Sequence, residues 1–262
     1  DAEVDRILEL QIREGRNDGG VPMPDTGVPT ASHVGTAGAM ASLAAAMISP
    51  GSKHFRNEVV LSALERAAGF MLRRQHGDGT IDLGGTNFHS PPDTGFVVAG
   101  FCQMFRLLAS CGWEPAESIA AKVRLFLERS VPALVTGGVH TPNHRWVVVA
   151  ALAGLHGIFG GEELVRRAEQ WLAEGIDQTE DGEWTERSNG IYNAVSDIML
   201  IYAADGLDRP ELLEPVRRNL RMMAYMVHHD GEVVTEYSGR QDLGTRADIS
   251  SYLLCYRALA ER

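Results

Sequence analysis

The chain has 262 residues, which is near the upper end for one domain and enough to bury a large core. Hydrophobic residues make up 44% and charged residues 23%, as in soluble globular proteins, and no apolar stretch is long enough for a transmembrane helix. The net charge of −11 argues against a general nucleic-acid binder, although a local basic cleft on an acidic body would still accept a polyanion.

Hydrophobic periodicity predicts helices along nearly the whole chain. In chain order they cover 2–14, 33–48, 54–75, 93–109, 115–131, 144–159, 161–175, 189–204, 209–228 and 245–260. Amphipathic, charged helices alternate with helices that are apolar nearly all round, and only the last helix is mixed. Because an apolar helix must be covered on most sides, the alternation predicts an all-α fold, an incomplete (α/α) toroid of about five helical hairpins with inner and outer rings. A linear helical solenoid is the alternative.

The loops support this repeat. Small turns follow the amphipathic helices, with glycines at positions 19, 79, 137, 182 and 231, about one helical hairpin apart. Asp-Gly and Gly-Gly supply positive-φ turns, and the β-branched residues after them favour extended backbone. Equivalent loops lie on one face of a ring, so the apolar helices are expected to point their N-termini at one cleft, which favours anions.

Polar residues concentrate at these loop ends. The candidates are Asn87, His89, Asn143, His144, Arg145, Trp184, Arg187, Asn189, Tyr192, Tyr237 and Arg240. Several have structural alternatives: Asn143 as a helix cap, His144 and Tyr192 as packed residues with satisfied polar atoms, and Trp184 as a packing residue instead of a sugar-stacking platform. The three cysteines lack metal-ligand spacing, and the sequence contains no zinc-protease or nucleotide-loop motif, so we expect neither a metal nor a cofactor.

Two stretches carry a family resemblance. "TPNHRW" opens an apolar helix and "RSNGIYN" follows one hairpin later. Together they resemble the catalytic pattern of toroidal uronate polysaccharide lyases, the heparinase II/III-like and alginate-lyase-like enzymes. The resemblance covers most of the chain as architecture, but its specific part is the Asn143–His144 pair and Tyr192.

The resemblance implies a β-elimination on an anionic polysaccharide, with Asn143, His144 and Tyr192 as catalytic residues. A lyase removes the weakly acidic proton α to a uronate carboxylate, so donors must neutralise that carboxylate while a base and an acid move protons. Asn143 is expected as a donor, Tyr192 as acid, base or both, and His144 as its partner or as the base. Position alone suggests Arg187 and Arg240 for binding the polyanion, and Tyr237 as a second phenol.

The chain departs from the family in one respect. These enzymes carry a β-sandwich domain after the toroid, whereas residues 1–262 predict a single toroid domain that ends in a helix. We therefore expect either a minimal toroid or the N-terminal part of a longer protein. The first residues are amphipathic and show no signal peptide, so the sequence leaves the cellular location open.

Other functions compete with the lyase. A glycoside hydrolase, such as an unsaturated uronide hydrolase, would need two carboxylates across the cleft, and Glu183, Glu186, Glu236, Asp82 and Asp93 are candidates. A non-catalytic scaffold that binds a glycan or protein is the second alternative. A terpenoid cyclase-like toroid is weakly suggested by "QHGDGTID", but aromatic residues are only 7% and no clustered Asp motif occurs. No membrane or nucleic-acid partner is expected.

Overall fold

The computed structural model describes residues 1–22 and 31–262. Within them lie ten α-helices: α1 (Ala2–Leu10), α2 (His33–Ile48), α3 (Glu58–Arg74), α4 (Pro91–Ser110), α5 (Glu117–Thr136), α6 (Pro142–Phe159), α7 (Glu162–Leu172), α8 (Tyr192–Leu207), α9 (Leu213–Met223) and α10 (Ser250–Ala260). One antiparallel hairpin joins β1 (Ile81–Leu83) to β2 (Asn87–Ser90). The predicted mostly helical fold is confirmed. In the described part of the chain, none of the helices has the length and apolar character needed to cross a membrane.

The chain divides into two compact units, Asp1–Gly138 and Val139–Arg262. In the first unit the apolar helix α2 packs against α3 and α4, and α4 packs against α5. In the second unit the apolar helix α6 packs against α7 and α8, while α8 also contacts α9 and α10. Each apolar helix is thus covered by helices on more than one side, as its composition requires. The ring that the alternation predicts stays a prediction.

The helix boundaries follow local signals. α2 has the predicted bounds, and Ser32 caps it by accepting a hydrogen bond from the N–H of Gly35 at 2.9 Å. α9 is shorter than the predicted helix 209–228, because Pro210 begins a 3₁₀ turn before it and the chain leaves the helix after Met223. α10 begins at Ser250, five residues later than expected.

Three of the turn glycines, each after a different amphipathic helix, lie against the backbone of the next amphipathic helix in the chain. Gly19, Gly79 and Gly182 have φ of +86°, +85° and +96°. A Cβ built on any of them would lie 1.9–2.4 Å from a main-chain carbonyl oxygen, that of Arg66, Arg129 or Arg218. Positive φ and close approach both require glycine here. The prediction fails at Gly137, which has φ of −71° and ends α5 in an extended conformation.

A glutamine near each of these three turns secures the same neighbouring helix. The Nε2 atoms of three glutamines donate to main-chain carbonyls three residues before the carbonyl that the glycine meets: Gln11 to Ala63, Gln75 to Phe126 and Gln178 to Pro215. Each bond satisfies a buried or half-buried side-chain donor while tying a loop to a helix. The sequence repeat therefore has a physical basis in how consecutive amphipathic helices dock.

Gly182 and Gly231 give a matched test of this docking, since both stand in Asp-Gly-Glu turns with φ of +96° and +89°. Gly182→Ala adds left-handed strain and a backbone clash, so we expect a loss of about 3 kcal/mol in the free energy of unfolding. A Cβ at Gly231 would meet nothing within 4 Å, so Gly231→Ala should cost only about 1 kcal/mol of strain. Urea unfolding of both variants measures the difference, and equal losses would contradict the docking role.

Candidate functional site

Glu186 is the centre of a polar network in the second unit. Its carboxylate is 7% exposed and lies in the segment between α7 and α8. It accepts hydrogen bonds from the main-chain N–H of Asn143 at 3.1 Å and from Asn143 Nδ2 at 2.6 Å, and it pairs with Arg240 Nη1. Asn143 is the second residue of α6, where free N–H groups and the helix dipole favour a negative charge. The charge-assisted hydrogen bonds from these partners offset much of the free energy that is lost when the carboxylate is removed from water.

Arg240 connects this carboxylate to a predicted catalytic phenol. Its guanidinium carbon lies 4.4 Å from the centre of the Tyr192 ring, within the range of a cation–π contact. Tyr192 is the first residue of α8, in agreement with its predicted place in the first turn of an apolar helix, and it is half-buried. Asn143, Glu186, Arg240 and Tyr192 are thus linked in one chain of contacts, called the Glu186 network below.

A buried aspartate holds the two loops that carry this network. Asp242 is 1% exposed and accepts hydrogen bonds from Ser188 Oγ at 2.8 Å, Ser238 Oγ at 2.6 Å and the N–H of Gly190 at 2.9 Å. These bonds join the segment before α8 to the segment after α9. The position of Arg240 beside Tyr192 therefore depends on Asp242, which lies two residues after it.

Tyr237 is a second phenol on the same loop. Its hydroxyl oxygen accepts a hydrogen bond from Asn189 Nδ2 at 3.0 Å. Burial, followed by a hydrogen bond with Glu183, raises the pKa of Tyr237 to about 12. This phenol therefore stays protonated near neutral pH.

The three predicted arginines differ in their partners. Arg145 pairs with Glu174 and Asp177 and lies over the Trp146 ring at 4.4 Å, and Arg240 pairs with Glu186. The Arg187 side chain is exposed and has no charged partner within the described ranges, residues 1–22 and 31–262. Its backbone has φ of +49°, an uncommon conformation for a residue with a Cβ, held by hydrogen bonds to Trp184 and Gly239.

Four predicted site residues are buried, and one of them is Arg145, which is 8% exposed. Asn143 is 0% exposed, and its amide group donates to Glu186 and to Thr141 Oγ1 at 3.0 Å. Asn189 is 1% exposed. Trp184 is 1% exposed, packs near Trp146 and donates from Nε1 to Asp197 at 3.1 Å. The prediction of Trp184 as a sugar-stacking residue is corrected, because stacking needs an open ring face; its packing alternative describes it.

The remaining residues stay partly accessible. His144 is the third residue of α6 and half-buried, with its ring 5.9 Å from that of His140 in an edge-on arrangement. Asn87 and His89 belong to β2 in the first unit, where Asn87 donates to Asp93 at 3.2 Å and His89 lies 2.8 Å from Asp78. The accessible candidates of the second unit are His144, Arg187, Tyr192, Tyr237 and Arg240.

Sequence reasoning missed two carboxylates that organise this region. The sequence suggests Glu186 only as a hydrolase carboxylate, and it does not single out Asp197. Asp197 is 0% exposed in the apolar helix α8, where burial raises its pKa well above the ordinary value despite the hydrogen bond from Trp184. An acidic residue in the middle of an otherwise apolar helix is the signal that points to it.

The described residues contain no cluster of three or more His, Cys, Asp or Glu side chains placed to hold a metal ion. No family model matches the chain, and no curated protein matches its sequence. The geometry of the site is therefore the basis for any assignment of function.

The Glu186–Arg240 pair should be strongly coupled, because removing either partner leaves a largely buried charge without compensation. We expect Glu186→Gln and Arg240→Gln each to cost about 2–4 kcal/mol in unfolding free energy, with the double variant costing less than their sum. The exposed pair Glu232–Arg246, in which Arg246 is 82% exposed, serves as a control and should couple far more weakly, because water screens it. Additive losses at Glu186 and Arg240 would contradict the network.

Asp197 predicts a dependence of stability on pH. Its folded-state pKa is raised, so the unfolded state releases the proton first once the pH passes the ordinary value of 3.8. The contribution of Asp197 to the free energy of unfolding is fully present below that pH. Above it, the free energy of unfolding falls by up to about 1.4 kcal/mol per pH unit until the folded-state pKa is reached. Asp197→Asn keeps an acceptor for Trp184 and should be more stable than the parent at alkaline pH.

Thermal unfolding across the pH range measures this effect, with Asp205→Asn as the control on the same helix. Asp205 is exposed and pairs with Arg262, so its loss should change stability little at any pH. Parallel pH profiles for the parent and the Asp197 variant would show that Asp197 is ionised in the folded protein.

Proposed function

We propose that this chain is a polysaccharide lyase that cleaves a uronate-containing polysaccharide by β-elimination. What supports the proposal is the set of accessible groups in the second unit: an arginine without a charged partner, an imidazole and two phenols. These are a cation for a carboxylate and the acids and bases for two proton transfers. Among the described residues, Glu186 is the carboxylate that contacts Asn143 and Arg240. It is buried, and the charge of Arg240 neutralises it.

Arg187 is the residue proposed to bind the substrate carboxylate. The guanidinium groups of Arg145 and Arg240 are paired with protein carboxylates, whereas that of Arg187 is exposed. A planar guanidinium binds a carboxylate through two parallel hydrogen bonds and withdraws charge from it. Neutralising the carboxylate lets negative charge develop on it when the neighbouring proton leaves, which lowers the barrier to elimination.

His144 and the phenols are proposed to move the protons. A neutral imidazole is a competent base near neutral pH, so His144 takes the proton α to the carboxylate. The electron pair of that C–H bond forms the new double bond, and the glycosidic C–O bond breaks. Tyr192 donates a proton to the departing oxygen, and Tyr237 is the second phenol that can support this transfer.

In this proposal Asn143 and Glu186 position the reacting groups. Asn143 is buried and donates to Glu186, so it acts on the substrate through Glu186 and Arg240 and makes no direct contact. Arg240 then fixes the ring of Tyr192 from one face. A preorganised phenol loses less entropy in the transition state than a mobile one.

The carboxylates of Glu186 and Glu236 give less support to the hydrolase alternative. A glycosidase needs a carboxylic acid whose pKa is raised so that it can protonate the leaving group. Glu186 pairs with Arg240, and hydrogen bonds from main-chain N–H groups lower the pKa of Glu236. The finer architecture, one incomplete (α/α) toroid over residues 1–262, is likewise a proposal, supported by the helix alternation and by the repeated turn.

The test uses a panel of polysaccharides: alginate, glucuronan, a heparinoid and a rhamnose-linked glucuronate polymer. Elimination creates a double bond conjugated to the carboxylate, so product formation is followed by ultraviolet absorbance. We expect activity on at least one uronate polymer. Tyr192→Phe and His144→Gln should each lower kcat by about 10²–10⁴-fold, since each removes one proton-transfer group.

Arg187→Gln should mainly raise KM, by about 10–100-fold, because it removes a charge-assisted contact that exists before reaction. Arg246→Gln removes an exposed arginine from the same unit and should leave the kinetics unchanged. New reducing ends without ultraviolet absorbance would identify a hydrolase instead. Binding of a polymer without turnover would identify a non-catalytic scaffold, and either outcome would overturn the proposal.

A further inference from the structure

His89 in the first unit has an imidazole ring that is 58% exposed yet held from several sides. Its Nδ1 lies 2.8 Å from Asp78 Oδ2, and its ring stacks on that of His76 with 3.8 Å between centroids. Its main-chain N–H donates to Asp82 Oδ1 at 2.9 Å. An exposed side chain that is already ordered loses little further freedom when it binds a ligand.

The backbone at His89 is also unusual. Its φ is +48°, in the left-handed region that residues with a Cβ seldom adopt. The hydrogen bond to Asp82 and the bond to Asp78 hold it there. Strained residues of this kind persist where the surroundings fix them, and they concentrate at functional sites.

The partners of Asp78 determine which nitrogen of His89 carries the proton. Asp78 Oδ1 accepts hydrogen bonds from Thr80 Oγ1 at 2.6 Å and from the Thr80 N–H at 2.9 Å. These bonds, with the one from His89, hold the pKa of Asp78 well below its usual range, so the side chain is a carboxylate. A carboxylate only accepts, so Nδ1 must be the donor, and Nε2 of the neutral ring is left as an acceptor.

This imidazole borders a groove within the first unit. The groove has a volume of about 290 Å³, near the lower end for a ligand pocket, so it suits one ring-sized group. Pro91, Pro132 and Ala133 supply apolar walls, while Asp78, Thr80 and His89 supply the polar edge. Apolar walls with a few convergent polar groups are typical of small-molecule sites.

We propose that this groove binds a neutral sugar ring, with His89 Nε2 accepting a hydrogen bond from a sugar hydroxyl and Asp78 fixing the tautomer. The carboxylates of Asp78 and Asp82 both bond to His89 and would repel an anionic ring. A hydroxyl donates to Nε2 without adding negative charge. The choice of a sugar as the ligand rests on the proposed function, whereas the orientation of the imidazole stands on the geometry.

Two measurements on the full chain test this site. Long-range proton–nitrogen NMR of the histidine rings should show His89 protonated at Nδ1 and free at Nε2, and Asp78→Ala should abolish that preference. Titration with methyl glucopyranoside should shift the His89 ring signals saturably, and the affinity measured by calorimetry should be at least about tenfold lower in Asp78→Ala and His89→Gln. His229→Gln replaces an exposed histidine of the other unit and should bind like the parent.

The titration is repeated with methyl glucuronopyranoside, the anionic counterpart of the first probe. Weaker binding of the anion supports the inference. A proton on Nε2, no saturable shift with the neutral sugar, or equal or tighter binding of the anion would each overturn it. Sugar binding without lyase activity on any polymer would overturn only the proposed function, and lyase activity without sugar binding at His89 would overturn only this site.

Discussion

The polar site of the second unit depends on the buried carboxylate of Glu186. A carboxylate taken from water is costly unless donors replace its hydration, and here the start of α6, the side chain of Asn143 and Arg240 supply them. These donors come from two separate parts of the chain, residues 143 and 240, and Glu186 itself lies in a third. Because a charge this deep needs all of them, the beginning of α6 and the loops on either side of α8 and α9 are fixed to one another. Asp242 adds a second carboxylate clamp between the same loops.

The pairing of Glu186 with Arg240 determines which arginine of this region remains available at the surface. Arg240 pairs with Glu186 and contacts the ring of Tyr192. Its positive charge is therefore already compensated within the protein. Arg187, one residue after Glu186, has a left-handed backbone and an exposed side chain without a charged partner among the described residues. Arg187, His144, Tyr192 and Tyr237 supply the kinds of group that carboxylate recognition and proton transfer need, and on this ground we propose elimination over hydrolysis.

The sequence predicted the helices well because their signal is periodic and local. The apolar character of α6 and α8 follows directly from burial on several sides, and the position of Tyr192 at the start of α8 followed from the pattern. The site was predicted only in part, because contacts such as Asn143 with Glu186 span 43 residues and leave no periodic trace. Trp184 shows the limit most clearly: the composition of its loop is the same whether the ring faces solvent or packs at 1% exposure.

The most direct test of this account is a crystal structure of the Tyr192→Phe variant with a bound oligomer of a uronate that the parent cleaves. The account predicts the substrate carboxylate on the Arg187 guanidinium, the α proton facing His144, and Glu186 still bound to Asn143 and Arg240. A carboxylate bound by Asn143 and Arg240 in place of Glu186 would contradict it, since the buried charge would then be a stand-in for the substrate and not the fixed centre of the site. An oligomer bound away from Arg187 would contradict it equally.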